Sequence, residues 1–201
     1  MLTLSSLSYQ WPGSKPQTVD LDMFSGQIVL ISGPSGIGKT TLFDIISGFH
    51  EPKSGELIWN GENLLSKPPW VRPISTMFQS DNFFPHLTVK DNIMLGLNNS
   101  KELTTKLFNK LEYLNVISLA DRRSDQLSGG ELQRVALIRA LMREKPILLL
   151  DEPFSALDKS MIKKASDLIL RYKKEVQSVI LIISHQDVSM YLNISHEIEL
   201  H

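Results

Sequence analysis

The residues Gly33-Pro34-Ser35-Gly36-Ile37-Gly38-Lys39-Thr40 carry the spacing G-x-x-x-x-G-K-[ST], with an apolar β-branched run before them and a helical pattern after. Glycines at this spacing let the backbone wrap closely around phosphate oxygens and present its N–H groups to them. The helix that follows adds the positive end of its dipole. Lys39 then supplies a point charge for the β and γ phosphates of a nucleoside triphosphate, Thr40 a hydroxyl ligand for Mg²⁺, and Thr41 a further hydroxyl in the same turn. Downstream, Leu148-Leu149-Leu150-Asp151-Glu152-Pro153 ends a buried apolar run on two carboxylates. Asp151 is placed as a metal partner and Glu152 as a general base or water-positioning group beyond the γ phosphate. Pro153 fits an abrupt end to the strand.

Positioning these groups takes strands that end at one edge. The apolar, β-branched runs predict strands over 27–32, 56–59, 74–78, 147–150 and 178–183, alternating with helical patterns. The first helix starts at about Lys39 and ends near Gly48, a plausible left-handed terminator. Asn60-Gly61 closes a turn after 56–59, which puts an antiparallel component early in the chain. From 88 to 116 the pattern is helical, with Leu103, Leu107, Leu111 and Leu114 on one face and Thr88-x-x-Asp91 as a capping box. Helices are predicted over 129–142 and 158–174, and a short tail closes the chain. Lys163, Lys164 and the run from Arg171 to Lys174 read as a solvated helix face, because Ile162, Ala165, Ile169 and Tyr172 form a stripe opposite. The fold class is α/β, with a largely parallel sheet.

Composition narrows the partners. The 201 residues are 42% hydrophobic, enough for one sizeable core. Lys and Arg number 21 against 22 Asp and Glu, a net charge of -1, so no global positive field favours a nucleic-acid backbone. No apolar run approaches the roughly 20 residues of a membrane-spanning helix. The first ten residues do not read as a secretory signal and there is no cysteine, which together lead to the expectation of a cytosolic address.

Leu127-Ser128-Gly129-Gly130-Glu131, followed by Leu132-Gln133-Arg134-Val135-Ala136, is similar to the signature of the ABC ATPases. Gln79 resembles that family's Q-loop glutamine, Ser155-Ala156-Leu157-Asp158 its D-loop and His185 its switch histidine, so the resemblance spans essentially the whole chain. It implies a P-loop NTPase fold as a single domain over 1–201: a mixed sheet core, an antiparallel β element and a helical signature subdomain over about 80–143. It also implies ATP and Mg²⁺ as cofactors, with Thr40, Gln79 and Asp151 at the metal. Glu152, His185 and Gln79 are then the catalytic set. Trp11 aligns best with the aromatic that stacks on adenine, with Tyr9 as the alternative. The Ser128-Gly129-Gly130 turn is expected to meet the γ phosphate of ATP held by a second copy of the chain, in a sandwich dimer. Three features depart from the pattern: Glu131 stands where the family usually has Gln, 122–126 lacks the proline common before the signature, and the chain reaches His201 soon after His185. The last leads to the expectation that no C-terminal regulatory domain is present.

Within the family, chromosome and repair ATPases split the cassette by a long coiled coil and ribosome-acting members carry two cassettes, and neither feature is present. A degenerate non-hydrolysing member is disfavoured by the intact Lys39, Asp151, Glu152 and His185. The run from Phe78 through Phe83-Phe84-Pro85-His86-Leu87-Thr88-Val89 resembles the stretch of prokaryotic importer ATPases that faces the permease. With Arg72-Pro73 and the run from Asn92 to Asn98, it is most similar to ATP-binding subunits of bacterial thiamine importers. That implies a peripheral protein on the cytoplasmic face of the inner membrane, bound to an integral-membrane permease. A periplasmic solute-binding protein belongs to the full complex without touching this chain, and no nucleic acid is involved. Importers of iron, sulfate, molybdate or polyamine are the alternatives.

Overall fold

Alternate residues of a strand face opposite sides of its sheet, and a strand apolar at every position must be covered on both faces. Ile28–Ser32, Ile147–Asp151 and Val179–Ile183 are of this kind, with nearly every residue buried. In the computed structural model, which describes residues 1–11, 13, 15–80 and 83–201, they form the centre of a parallel sheet. In chain order the elements are β1 (Leu2–Tyr9), β2 (Gln17–Met23), β3 (Ile28–Ser32), α1 (Lys39–Ser47), β4 (Ser54–Trp59), β5 (Glu62–Asn63) and β6 (Ile74–Met77). There follow α2 (Val89–Met94), α3 (Lys101–Tyr113), α4 (Gly129–Leu141), β7 (Ile147–Asp151), α5 (Lys159–Val176), β8 (Val179–Ile183) and β9 (His196–Glu199).

The expected mixed core resolves into two sheets. One is parallel, in the order β6-β7-β8-β3-β9, and the other antiparallel, in the order β2-β1-β4-β5. Ile28, Leu30, Leu148, Leu150, Ile180 and Ile182 face a core shared with α4, α5 and the shorter helices. Their neighbours Val29, Ile31, Ile147, Leu149, Leu181 and Ile183 face the other core, with α1 and the antiparallel sheet. All parallel strands therefore end at one edge, where the loops after β3, β6, β7 and β8 converge.

Several boundaries differ from the sequence reading. The helical stretch over 88–116 is two helices, because Gly96 takes a left-handed φ of 73° and Ser100 starts a new helix by accepting the Leu103 N–H at 3.1 Å. Thr88 caps α2 as expected, accepting from the Asp91 amide. Asp158 is the cap of α5 rather than its first residue, and Gln177 ends it at a φ of 56°. The closing tail is not irregular: it contributes β9, parallel to β3. Gly48 terminates α1 in the left-handed region, and Asn60 and Gly61 turn β4 into β5, both as expected. Asp81 and Asn82, inside the run predicted to face a permease, lie outside the described residues.

Candidate active site

The loop between β3 and α1 is bent by glycine. Gly38, the first cap of α1, has a φ of 109°, and a side chain there would come within 3.0 Å of the Tyr9 ring. At Gly33 a Cβ would lie 2.7 Å from the carbonyl oxygen of Leu200. Only glycine allows both the turn and these approaches. Tyr9 is therefore buried behind the cradle, where burial raises its phenol pKa and its hydroxyl has no partner among the described residues. Trp11, 48% exposed, stands on the wall of the cavity in front of the loop, edge-on to His50. Of the two aromatics considered for base stacking, Trp11 occupies the accessible position.

That cavity, about 430 Å³, gathers Trp11, Ser35, Gly36, Gly38, Lys39, Thr40 and Thr41 with Gln79 from the end of β6, Asp151 and Glu152 from β7, and His185 from β8. Lys39 donates to the carbonyls of Gly33 and Pro34 at 2.7 and 2.9 Å, which holds its ammonium inside the loop. Burial lowers its pKa, and the charges of Glu152 and Asp151 act against that shift. Thr40 donates to Asp151 Oδ2 at 2.9 Å, so a hydroxyl and a carboxylate lie side by side at the start of α1. Burial raises the pKa of Asp151, opposed by this hydrogen bond.

Glu152 sits at a left-handed φ of 50° with its N–H donated to Ile183 O at 2.9 Å. Its Oε1 is buried with no hydrogen-bond partner among the described residues and lies 3.6 Å from His185 Nε2. Burial raises its pKa, opposed chiefly by His185. A buried carboxylate of raised basicity beside an imidazole is suited to take a proton from water. Asp44 also lines the cavity, and burial raises its pKa. No motif marks it, but it lies four residues after Thr40, one turn along the same face of α1.

The described residues contain no group of three or more acidic or histidine ligands placed to hold a metal. A Thr hydroxyl beside one carboxylate still suits Mg²⁺, which takes few protein ligands and completes its shell with water and phosphate oxygens.

Ser128, Gly129 and Gly130 do not join this cavity. Ser128 caps α4 and is exposed with Gly129. Glu131 closes a reciprocal box, accepting from the Ser128 N–H at 2.8 Å and the Ser128 hydroxyl at 2.7 Å, which accounts for an acid in the first turn. Gly129 borders a smaller pocket with Gln79, Ser155 and Ala156, and at Gly130 a Cβ would lie 2.9 Å from the Ala156 carbonyl.

Phe83 and Phe84 border a separate groove of about 560 Å³ with Trp70, Phe78, Arg139 and Arg143. Phe84 is 45% exposed and Trp70 84%. Trp70 had no periodic signal to mark it. The buried Asn92 amide fixes the loop, accepting from Phe84 N–H and donating to the carbonyls of Phe84, Leu87 and Thr88. A larger cavity, about 760 Å³, lies between α3 and α5 and mixes Lys106, Lys110 and Arg171 with Glu144 and Glu175. It has no loop of converging amides, so the smaller cavity at the sheet edge is the better candidate for chemistry.

Residues 16–155 match the protein family described as ABC transporter. The chain is 43% identical over 176 residues to the thiamine import ATP-binding protein ThiQ of Photobacterium profundum, covering 86% of this chain and 73% of the relative. Against ThiQ of Haemophilus influenzae it is 43% identical over 175 residues, 85% of this chain and 81% of the relative. A dimeric ATP-binding cassette solved in a post-hydrolysis state with ADP and phosphate superposes with a TM-score of 0.85 at 28% identity, covering 100% of this chain and 94% of that one. A dimeric bacterial ABC transporter cassette gives 0.86 at 28%, with the same coverage.

Proposed function

Because this chain belongs to the ABC transporter family of ATP-binding cassettes, we propose that it is the ATP-hydrolysing subunit of a bacterial thiamine importer. In this reading it acts as one cassette domain on the cytoplasmic face of the membrane. The observation that carries the ATPase reading is the convergence of Lys39, Thr40, Gln79, Asp151, Glu152 and His185 on one cavity. The solute is read from the relatives, since it does not enter the cassette.

ATP binds with its phosphates along the amides of Ser35 to Thr40 and its adenine against Trp11. Lys39 trades its two carbonyl partners for β and γ oxygens. Thr40 and Asp151, with Gln79 nearby, would hold Mg²⁺, which would supply charge neutralisation to the phosphates. Glu152 takes a proton from the water that attacks the γ phosphorus, the bridging P–O bond to the β phosphate breaks so that ADP leaves, and His185 steadies the γ phosphate and the carboxylate beside it. Ser128, Gly129 and Gly130 of a second copy cover the γ phosphate from the other side, in a turn whose Ser128 and Gly129 are exposed and which does not line its own chain's cavity. Phe84 and Trp70 form the docking surface for the permease. Among the described residues no helix is long and apolar enough to cross a membrane, so transport requires that partner, with a periplasmic solute-binding protein delivering thiamine to it.

Lys39→Ala tests the cradle and uptake tests the solute. Titration with a fluorescent ATP analogue should show loss of tight Mg-ATP binding, and cells lacking their own copy should regain thiamine uptake with the wild-type chain but not with Lys39→Ala. Unchanged affinity would overturn the cradle. Restoration of another solute's uptake in place of thiamine's would leave the ATPase standing and remove the substrate.

A further inference from the structure

One side chain of α4 reaches the catalytic loop directly. Gln133 Nε2 donates to the Glu152 carbonyl at 2.6 Å and to Ser155 Oγ at 2.8 Å, and the Ala156 N–H donates to Gln133 Oε1 at 2.7 Å. The amide thus spends both of its donors and its acceptor on the segment 152–156. Glu152 has no glycine's freedom, yet its backbone is left-handed, a conformation that persists only where the surroundings fix it. Its N–H is held by Ile183 at the end of β8 and its carbonyl by Gln133. With the peptide planes on both sides fixed, the backbone angles of Glu152 and the direction of its Cβ are fixed as well.

We infer that Gln133 is a positioning residue for hydrolysis, which fastens the Glu152 loop to the helix whose first turn is Ser128-Gly129-Gly130. The inference rests on the reading of Glu152 as the base. Gln133 lies five residues beyond the Ser128 cap, about 7.5 Å along a continuous helix. The close approach of Gly130 to the Ala156 carbonyl adds a second point of contact between the same two segments. The turn offered to the other copy's phosphate and the carboxylate that works on the chain's own ATP therefore move as one body, and a carboxylate misplaced by an ångström is a poor base.

The test uses full-length Gln133→Leu and Gln133→Glu beside Glu152→Gln. Gln133→Glu keeps the volume and the bond from the Ala156 N–H while losing both donations, which covers the case in which Gln133→Leu does not fold. The folded variant should lose roughly 10- to 100-fold in kcat with KM for ATP changed less than about twofold. Combined with Glu152→Gln, it should still form the Mg-ATP dimer, which places the defect in chemistry rather than assembly. A folded Gln133→Glu with wild-type kcat, beside an inactive Glu152→Gln, would overturn the inference while leaving the base in place. An active Glu152→Gln would overturn both. Loss of Mg-ATP dimerisation in the combined variants, where Glu152→Gln alone still dimerises, would show that Gln133 serves assembly, and the inference would fall.

Discussion

Glu152 and Asp151 are carboxylates in places that penalise charge. Burial raises both pKa values above those of the unfolded chain, so the folded protein binds more protons than the unfolded one at pH values between the two. For such groups stability is highest below the unfolded value and is lost as pH rises through the folded one. The ionised Glu152 carboxylate, with Oε1 buried and without a hydrogen-bond partner among the described residues, therefore weakens the nucleotide-free fold at neutral pH. Glu152→Gln should stabilise that state by on the order of 1 kcal/mol, about 2–4 °C in Tm, while cutting turnover by about 10²-fold or more. Thermal melts across pH check the sign: the gap between variant and wild type should shrink as pH falls and Glu152 takes up its proton. A gap that stays constant would show that the charge is not the cause. The cradle and the carboxylates were legible in the sequence because their spacing encodes backbone shape. Asp44 was not, and Gln133 was legible only as part of the signature run, since helical adjacency and a reach across the fold to 152–156 leave no mark in local spacing.

At the scale of elements, the 84–88 loop owes its form to Asn92, whose amide makes four hydrogen bonds to it. Phe84 projects from a fixed platform and not from a mobile tip. Phe84→Asp should leave ATP binding near wild type, because the cradle lies on other loops, and should weaken permease docking by more than about 1–2 kcal/mol. Co-purification with the permease and thiamine uptake measure the loss; retained uptake would remove the docking role. The central strands were readable from continuous apolar runs, but β1, β2, β9 and the two-residue β5 were not. In β1 the alternation Leu2, Leu4 slips to Leu7, Tyr9 at a bulge where Ser6 adopts a φ of 45°, and a one-residue slip erases a period of two. β2 alternates cleanly, with exposed Asp20 and Asp22 between buried Val19, Leu21 and Met23, but Asp is a poor strand former out of context. β9 is a four-residue edge strand of mostly exposed polar side chains, held by its pairing with β3 and by little in its own composition.

For the whole molecule, the separation of Ser128, Gly129 and Gly130 from their own cavity has a stoichiometric meaning. In the proposed sandwich a single chain supplies one half of each of two sites, and ATP completes the interface. Sedimentation of Glu152→Gln should show a dimer with Mg-ATP and a monomer with ADP; a monomer in both would count against the sandwich. The pairing of β9 with β3 carries a further consequence, for the order of synthesis. The strand that leads into the phosphate loop keeps an open edge until 196–199 are made, and Gly33 meets its neighbour only when Leu200 arrives. Chains are built from the N-terminus at about 5–20 residues per second, so the loop at 33–40 is made before the segment that braces it. A nascent chain on the ribosome thus lacks this lateral support of its phosphate loop until β9 has been made and can pair with β3.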